Sequence, residues 1–304
     1  MTPSTKTDNA FRTANPHALA TILEASETRS IIAATDIFDI SGTKLWASNQ
    51  PVSAALQRKL LDRQLREPLE SCLIAEDGVT PATLAQSLQE LVQGESPLAP
   101  FLRPHAASLA REVVHLSLHP VAQLLLSAAQ TARRQSFDHA VAGMALNGAL
   151  VAANGGDTPE IRVAMLCGLL HDLGEMYIDP RHGEADADRD LDFASYQQLV
   201  VHPHVGYLLV AQLTNYPGVV SRAIAEHHER LDGSGYPNGL AGGQIDEPSL
   251  LCAIADVHTA LTDSRPYRGP LAQDLAFERM RLLAGPQLEP ALLRRYEAVM
   301  RELD

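Results

Sequence analysis

The chain is short of cysteine. It has three in 304 residues, Cys72, Cys167 and Cys252. They are far apart, odd in number and set among apolar residues, so a disulfide framework is excluded in favour of reduced, buried thiols in a cytoplasmic protein. Aromatic residues are only 5%, while Ala and Leu are abundant, which disfavours a β-sandwich and favours packed helices. No apolar run reaches the ~18 residues of a membrane span. The opening stretch MTPSTKTDNAFRTANPH lacks the apolar core of a signal peptide. Positive charge is also scarce. Lys plus Arg is 24 against 37 Asp plus Glu, a balance of −13 that repels a nucleic-acid polymer. A small anionic substrate is not excluded, because a metal cluster reverses the sign locally.

Apolar residues make up 45% of the chain, enough for a sizeable core and about two domains. The pattern predicts a mainly α protein: a small N-terminal α+β or α domain over 1–122, followed by an all-helical domain over 123–304. Residues 1–28 read as a loose tail or partly ordered arm. In SIIAATDIFDISGTKLWA, β-branched runs flank Ser41-Gly42, a hairpin signal. Leu56 to Leu69 has helical periodicity. Thr80-Pro81 opens a helix, and 94–100 breaks it. Residues 103–134 are helical again, with Pro120 a boundary or kink. His115 and His119 have one-face spacing but no acidic or cysteine partner nearby, and read as ordinary helix histidines.

After Ser136 the character changes. FDHAVAGMALNGALVAA forms a helix stopped by Asn154-Gly155-Gly156. Thr158 caps the next, which runs to His171-Asp172. A polar loop covers 181–192. Further helices span about 193–213, Pro217 to His227-His228, and 247–263, and two amphipathic helices fill 270–304. Seven residues interrupt these apolar stretches near the middle or C-terminal end of each helix: His139, His171, Asp172, His202, His227, His228 and Asp256. A buried charge costs several kcal/mol unless a metal or cation pairs it. Imidazole and carboxylate suit Fe, Mn, Zn or Ni, and a carboxylate can bridge two ions. Two metals ~3.5–4 Å apart can share a hydroxide and clamp a phosphodiester.

LLHDLGEM, HPHVG at 202–206, HHERLDGSGYPNGL at 227–240 and ADVHTALTDSRPYR at 255–268 form an ordered set that resembles the HD-GYP family, a branch of the HD-domain metal-dependent phosphohydrolases, over roughly 120–304. The resemblance implies an all-helical fold and hydrolysis of cyclic di-GMP to pGpG and on to GMP. It implies two divalent metals, Fe or Mn first and Zn or Ni as alternatives, on the same seven residues, with Asp172 bridging and positioning the hydroxide. It implies that Gly235, Tyr236 and Pro237 shape the substrate pocket and a surface for a protein partner, and that Arg265 and Arg268 face phosphate or guanine. His204 lies outside the motif.

Two departures bear on activity. Glu175 stands where the family has a Lys that meets substrate phosphate, reversing the charge there. Gln135 stands one turn before His139, where three-metal members have Glu, which favours two metals. Glu175 leaves two alternatives: a catalytically weak or inactive regulatory module that keeps its metals, or a phosphohydrolase on another nucleotide.

Overall fold

The computed structural model describes residues 10–182, 193–263 and 269–301. Helices dominate them. In chain order they are α1 (Pro16–Ser26), β1 (Ile31–Ala33), β2 (Ile37–Phe38), β3 (Lys44–Trp46), α2 (Ala54–Leu60), α3 (Leu69–Cys72), β4 (Leu73–Ala75), α4 (Pro81–Gln93), α5 (Ala99–Leu102), α6 (Ala106–Val113), α7 (Pro120–Ala132), α8 (Arg134–Ala153), α9 (Thr158–Leu170), α10 (Phe193–Leu199), α11 (His202–Leu213), α12 (Gly218–Glu226), α13 (Glu247–Thr262), α14 (Gln273–Leu283) and α15 (Pro290–Arg301). Among the described residues, no helix is long and apolar enough to cross a membrane.

The chain divides into two compact units that interleave along the sequence. One joins the chain up to Val79 with His119–Arg134, and the other joins Thr80–Leu118 with the chain from Gln135 onward. The expected boundary between 122 and 123 falls inside α7, and the compact units change at three points along the chain. Buried polar contacts give the reason. Ser127 Oγ on α7 accepts from Val79 N at 2.7 Å, and Thr131 Oγ1 takes Arg29 Nε at 2.5 Å, which anchors α7 to the first unit. Glu112 on α6, 1% exposed, receives Arg162 Nε of α9 at 2.9 Å, which anchors α6 to the second.

The first unit is α+β. β1 and β4 pair antiparallel in the register Ile31↔Ala75, Ile32↔Ile74 and Ala33↔Leu73. β2 and β3 form the expected hairpin, with Gly42 at φ 88 and Asp39 Oδ1 accepting from the Ser41 and Thr43 amides. The loose tail expected over 1–28 is corrected in part: Asn15 caps α1 through the amides of His17 and Ala18, with Pro16 at its first position. The helix expected over 56–69 ends at Leu60, because Asp62 turns the backbone left-handed at φ 57.

In the second unit the expected helix over 193–213 is two helices, α10 and α11, broken at 200–201 ahead of Pro203, which has no amide to continue the ladder. The cap of α9 is Asp157 rather than Thr158, closing a reciprocal box with Glu160. In the first unit, His119 caps α7, its Nδ1 accepting from Val121 N at 3.3 Å.

Candidate metal centre

Two glycine contacts bring the helices close enough to build the site. α8 crosses α9 at Gly143 and Gly168, where a Cβ on Gly168 would stand 2.2 Å from Gly143 O. Asp172 begins the 3-10 turn Leu173–Tyr177, and a Cβ on Gly174 would stand 2.0 Å from His202 O at the start of α11. α12 ends at Glu226, which presents His227 and His228 at its C-terminus, and α13 carries Asp256 on a buried face.

These elements gather the seven predicted side chains into two groups that share Asp172. One is His139, His171, Asp172 and Asp256; the other is Asp172, His202, His227 and His228. Within each group every residue offers a ligand atom lying within 4.8 Å of the others. In the first, His139 Nε2 is 3.2 Å from His171 Nε2 and 3.3 Å from Asp256 Oδ1, and His171 Nε2 is 3.2 Å from Asp172 Oδ2. In the second, His202 Nε2 is 3.2 Å from His227 Nε2, and the two stand 3.3 and 3.4 Å from Asp172 Oδ1. The two carboxylate oxygens of Asp172 thus face different groups. Donors bonded at ~2.0–2.2 Å to one ion stand roughly 3–3.6 Å apart, close to these separations.

Hydrogen bonding makes the same point. His171, His202 and His227 place Nδ1 2.8, 2.8 and 2.7 Å from the carbonyls of Gly168, Leu199 and Ile224. Their Nδ1 atoms are therefore the donors, and each Nε2 points inward, where it offers a lone pair once any proton on it has left. Facing lone pairs at 3.2 Å repel unless a proton or a cation lies between them. Asp172 Oδ1 and Asp256 Oδ1 are buried with no hydrogen bond of acceptable geometry, although ring nitrogens approach them. Inward lone pairs and orphaned carboxylate oxygens fit a divalent metal in each group.

Electrostatics separates the two groups. Burial alone would lower His139, but the Asp256 and Asp263 carboxylates outweigh it and push it up to about 10. Burial works against the charged form of His171 too, and Asp172 overrides it and raises it well above its ordinary value. Burial, with the neighbouring His228 imidazole adding to the cost of a second charge, pushes His227 down to about 3, and burial does the same to His228. Burial pushes the Cys252 thiol up to about 12, so it stays protonated and offers no thiolate.

The protein-family model described as HD domain matches residues 109–292, more than half of the chain. This chain belongs to the HD-domain family. Its ordered motifs resemble those of the HD-GYP branch. It is 36% identical over 166 residues to a cyclic di-GMP phosphodiesterase of Pseudomonas aeruginosa, covering 54% of this chain and 39% of that one. It is 38% identical over 117 residues to 3′3′-cGAMP-specific phosphodiesterase 1 of Vibrio cholerae, covering 38% and 26%. It is 34% identical over 144 residues to a cyclic di-GMP phosphodiesterase response regulator of Xanthomonas campestris pv. campestris, covering 44% and 36%. The matched stretches span well under half the length of each of these relatives.

In this HD domain the remaining predicted residues fall as follows. Tyr236 stacks on His228, ring centroids 4.6 Å apart and planes at 27°, and its amide donates to His228 O at 3.2 Å. Gly235 lies against the backbone of the histidine pair; a Cβ there would stand 2.4 Å from His228 O and Arg230 N. Pro237 follows a cis peptide bond. Glu175 is 5% exposed, in the 3-10 turn that follows Asp172. Gln135 lies in the first turn of α8, and His204 stacks on Tyr207 outside both groups. Arg265 and Arg268 lie outside the described residues.

Two contributors were missed from sequence. Glu229, 1% exposed, accepts from the amides of Asn238 and Leu240 at 2.7 and 2.8 Å and so pins the loop after the histidine pair. Asp263 Oδ2 lies 2.7 Å from His139 Nδ1. Its spacing from Asp256, two turns along one helical face, was the available signal.

Proposed function

We propose that this chain is a metal-dependent phosphodiesterase that opens a cyclic dinucleotide, cyclic di-GMP being the first substrate to test, to linear pGpG and then GMP. The observation that carries this reading is the division of Asp172, with Oδ2 toward His171 and Oδ1 toward His202 and His227. That arrangement supports Asp172 as a bridge between two divalent metals. His139, His171 and Asp256 would complete one site, and His202, His227 and His228 the other. When bound, such a pair lowers the pKa of a water and offsets charge on a phosphodiester. The chain's own part is to hold each imidazole in the tautomer that offers Nε2, by occupying Nδ1. The burial of the cluster excludes competing water.

Tyr236, held against His228, is placed in this reading at the substrate rim with Gly235 and Pro237, and Arg265 and Arg268 supply cations for phosphate or guanine. The same loop offers the face for a protein partner. A donor set of nitrogen and carboxylate oxygen supports Fe or Mn ahead of a thiolate-preferring metal. The three free, buried cysteines support a reducing compartment such as the cytoplasm. The test is a panel: protein loaded with Mn or Fe, given cyclic di-GMP, 3′3′-cGAMP and pGpG, with products separated by chromatography. Formation of pGpG from cyclic di-GMP is expected, and no turnover of any of the three at full metal occupancy contradicts the reading.

A second reading is favoured by Glu175, whose carboxylate is buried one short turn from Asp172. A carboxyl group where the family has a Lys supplies no cation for a phosphodiester, and supports a metal-holding regulatory module or a different nucleotide substrate.

A further inference from the structure

Four of the centre's five histidines obtain their Nδ1 acceptors in two different ways, while His228 Nδ1 stands 3.8 Å from Asp256 Oδ2. For His171, His202 and His227 the acceptor is the carbonyl three residues upstream: Gly168, Leu199 and Ile224. Those carbonyls belong to the last turns of α9, α10 and α12, where the helix leaves its final acceptors unclaimed. At Leu199 the reason is explicit in sequence, because the residue four on is Pro203, which has no amide hydrogen. His139 has no such option. It lies inside the 20-residue α8, where neighbouring carbonyls are taken by the helix's own bonds. Its acceptor comes from another element: Asp263, the C-cap of α13, sets Oδ2 2.7 Å from His139 Nδ1.

We propose that Asp263 is a positioning residue for His139, and that it makes the two halves of the centre unequal, with the His139, His171, Asp172 and Asp256 group the tighter metal site. This rests on the two-metal reading above. A carboxylate behind an imidazole fixes Nδ1–H, aims the ring and raises the basicity of Nε2 more than a neutral carbonyl does. It also adds charge. Asp172 Oδ2, Asp256 Oδ1 and, one ring behind, Asp263 surround the first group, whereas Asp172 Oδ1 lies within 3.4 Å of the His202 and His227 nitrogens and Asp256 Oδ2 stands farther off, 3.8 Å from His228 Nδ1. Asp263 keeps 28% of its side chain exposed, against 4% for Asp256, so substituting it disturbs little packing.

The test uses the full chain stripped of metal and titrated with Mn²⁺ against a competing chelator, with metal per chain counted by mass spectrometry. Wild type should take two ions, the first more tightly. Asp263→Asn keeps an acceptor oxygen and drops the charge, and should weaken the tighter ion about 10-fold; Asp263→Ala drops both, and should weaken it towards 100-fold. The second ion should be held as in wild type. Two ions bound with unchanged affinities in both variants would overturn the proposal, and so would equal weakening at both sites, the mark of a merely structural role. If Asp263→Ala fails to fold, as read by its metal-free melting curve, Asp263→Asn alone decides. A wild type that holds no Mn²⁺ overturns this proposal together with the two-metal reading, whereas two ions without turnover overturn only the catalytic one.

Discussion

Gly143 and Gly168 touch backbone to backbone where α8 crosses α9: a Cβ on Gly143 would stand 2.9 Å from Gly168 O, and one on Gly168 2.2 Å from Gly143 O. His139 lies one turn before the first glycine and His171 three residues after the second. The contact is therefore what lets the two Nε2 atoms approach to 3.2 Å. Gly168→Ala should push the helices apart, lower stability by about 1–3 kcal/mol, and reduce metal content at the same time. Gly218, with nothing within 4 Å of an added Cβ, is the control, and Gly218→Ala should leave both melting temperature and metal content close to wild type. Equal behaviour of the two variants would contradict this view of the crossing.

Glu229 is the second structural prediction. Its carboxylate holds the Asn238 and Leu240 amides from a position 1% exposed. Glu229→Gln replaces one of the two acceptor oxygens with a donor, leaving one amide unmatched at about 1–3 kcal/mol. The cost should fall on the loop rather than on the whole domain. Hydrogen exchange is expected to speed up over 233–241 with little change in α8 and α9; unchanged exchange in the loop would remove Glu229 from this role.

Metal uptake should release protons. His139 is pushed up to about 10 and His171 is raised as well, so below that range the metal-free centre keeps protons that a cation must displace. Affinity must then fall as pH falls. With one proton displaced the change is about tenfold per pH unit, and with two about a hundredfold. Titrations at pH 6, 7 and 8 check this, and an affinity independent of pH would refute it. His227 and His228, pushed down to about 3, are already neutral and add nothing to the slope.

Glu175→Lys separates the two functional readings. If the buried carboxylate opposes the substrate phosphate, the Lys variant should hydrolyse cyclic di-GMP faster, by about 10²–10³-fold on the scale typical of a transition-state electrostatic contact. A fall in turnover at unchanged metal content would instead give Glu175 a positive role in this chain's own reaction.

Much of the centre was legible because its residues break local rules. Polar residues inside apolar stretches, such as Asp256 in LLCAIADVHTAL, need a partner to be there, and the ordered motifs tie seven of them together. What the sequence hid depends on three-dimensional neighbours. Asp263 shows its link to His139 only in three dimensions, and Glu229 its hold on the Asn238 and Leu240 amides only once the loop folds back over it. The compact units interleave because α7 turns Ser127 and Thr131 toward one unit, while Glu112 and Arg162 tie α6 to the other. The helix α1 was missed although Asn15-Pro16 is a cap signal, because the polar residues before it dominated the reading.

The most direct measurement is turnover of cyclic di-GMP as a function of metal per chain, on a single preparation titrated from the metal-free state. Little pGpG should form with the first ion bound, and its formation should rise as the second half of the centre fills towards two ions per chain. Full activity at one ion, or none at two, would contradict it.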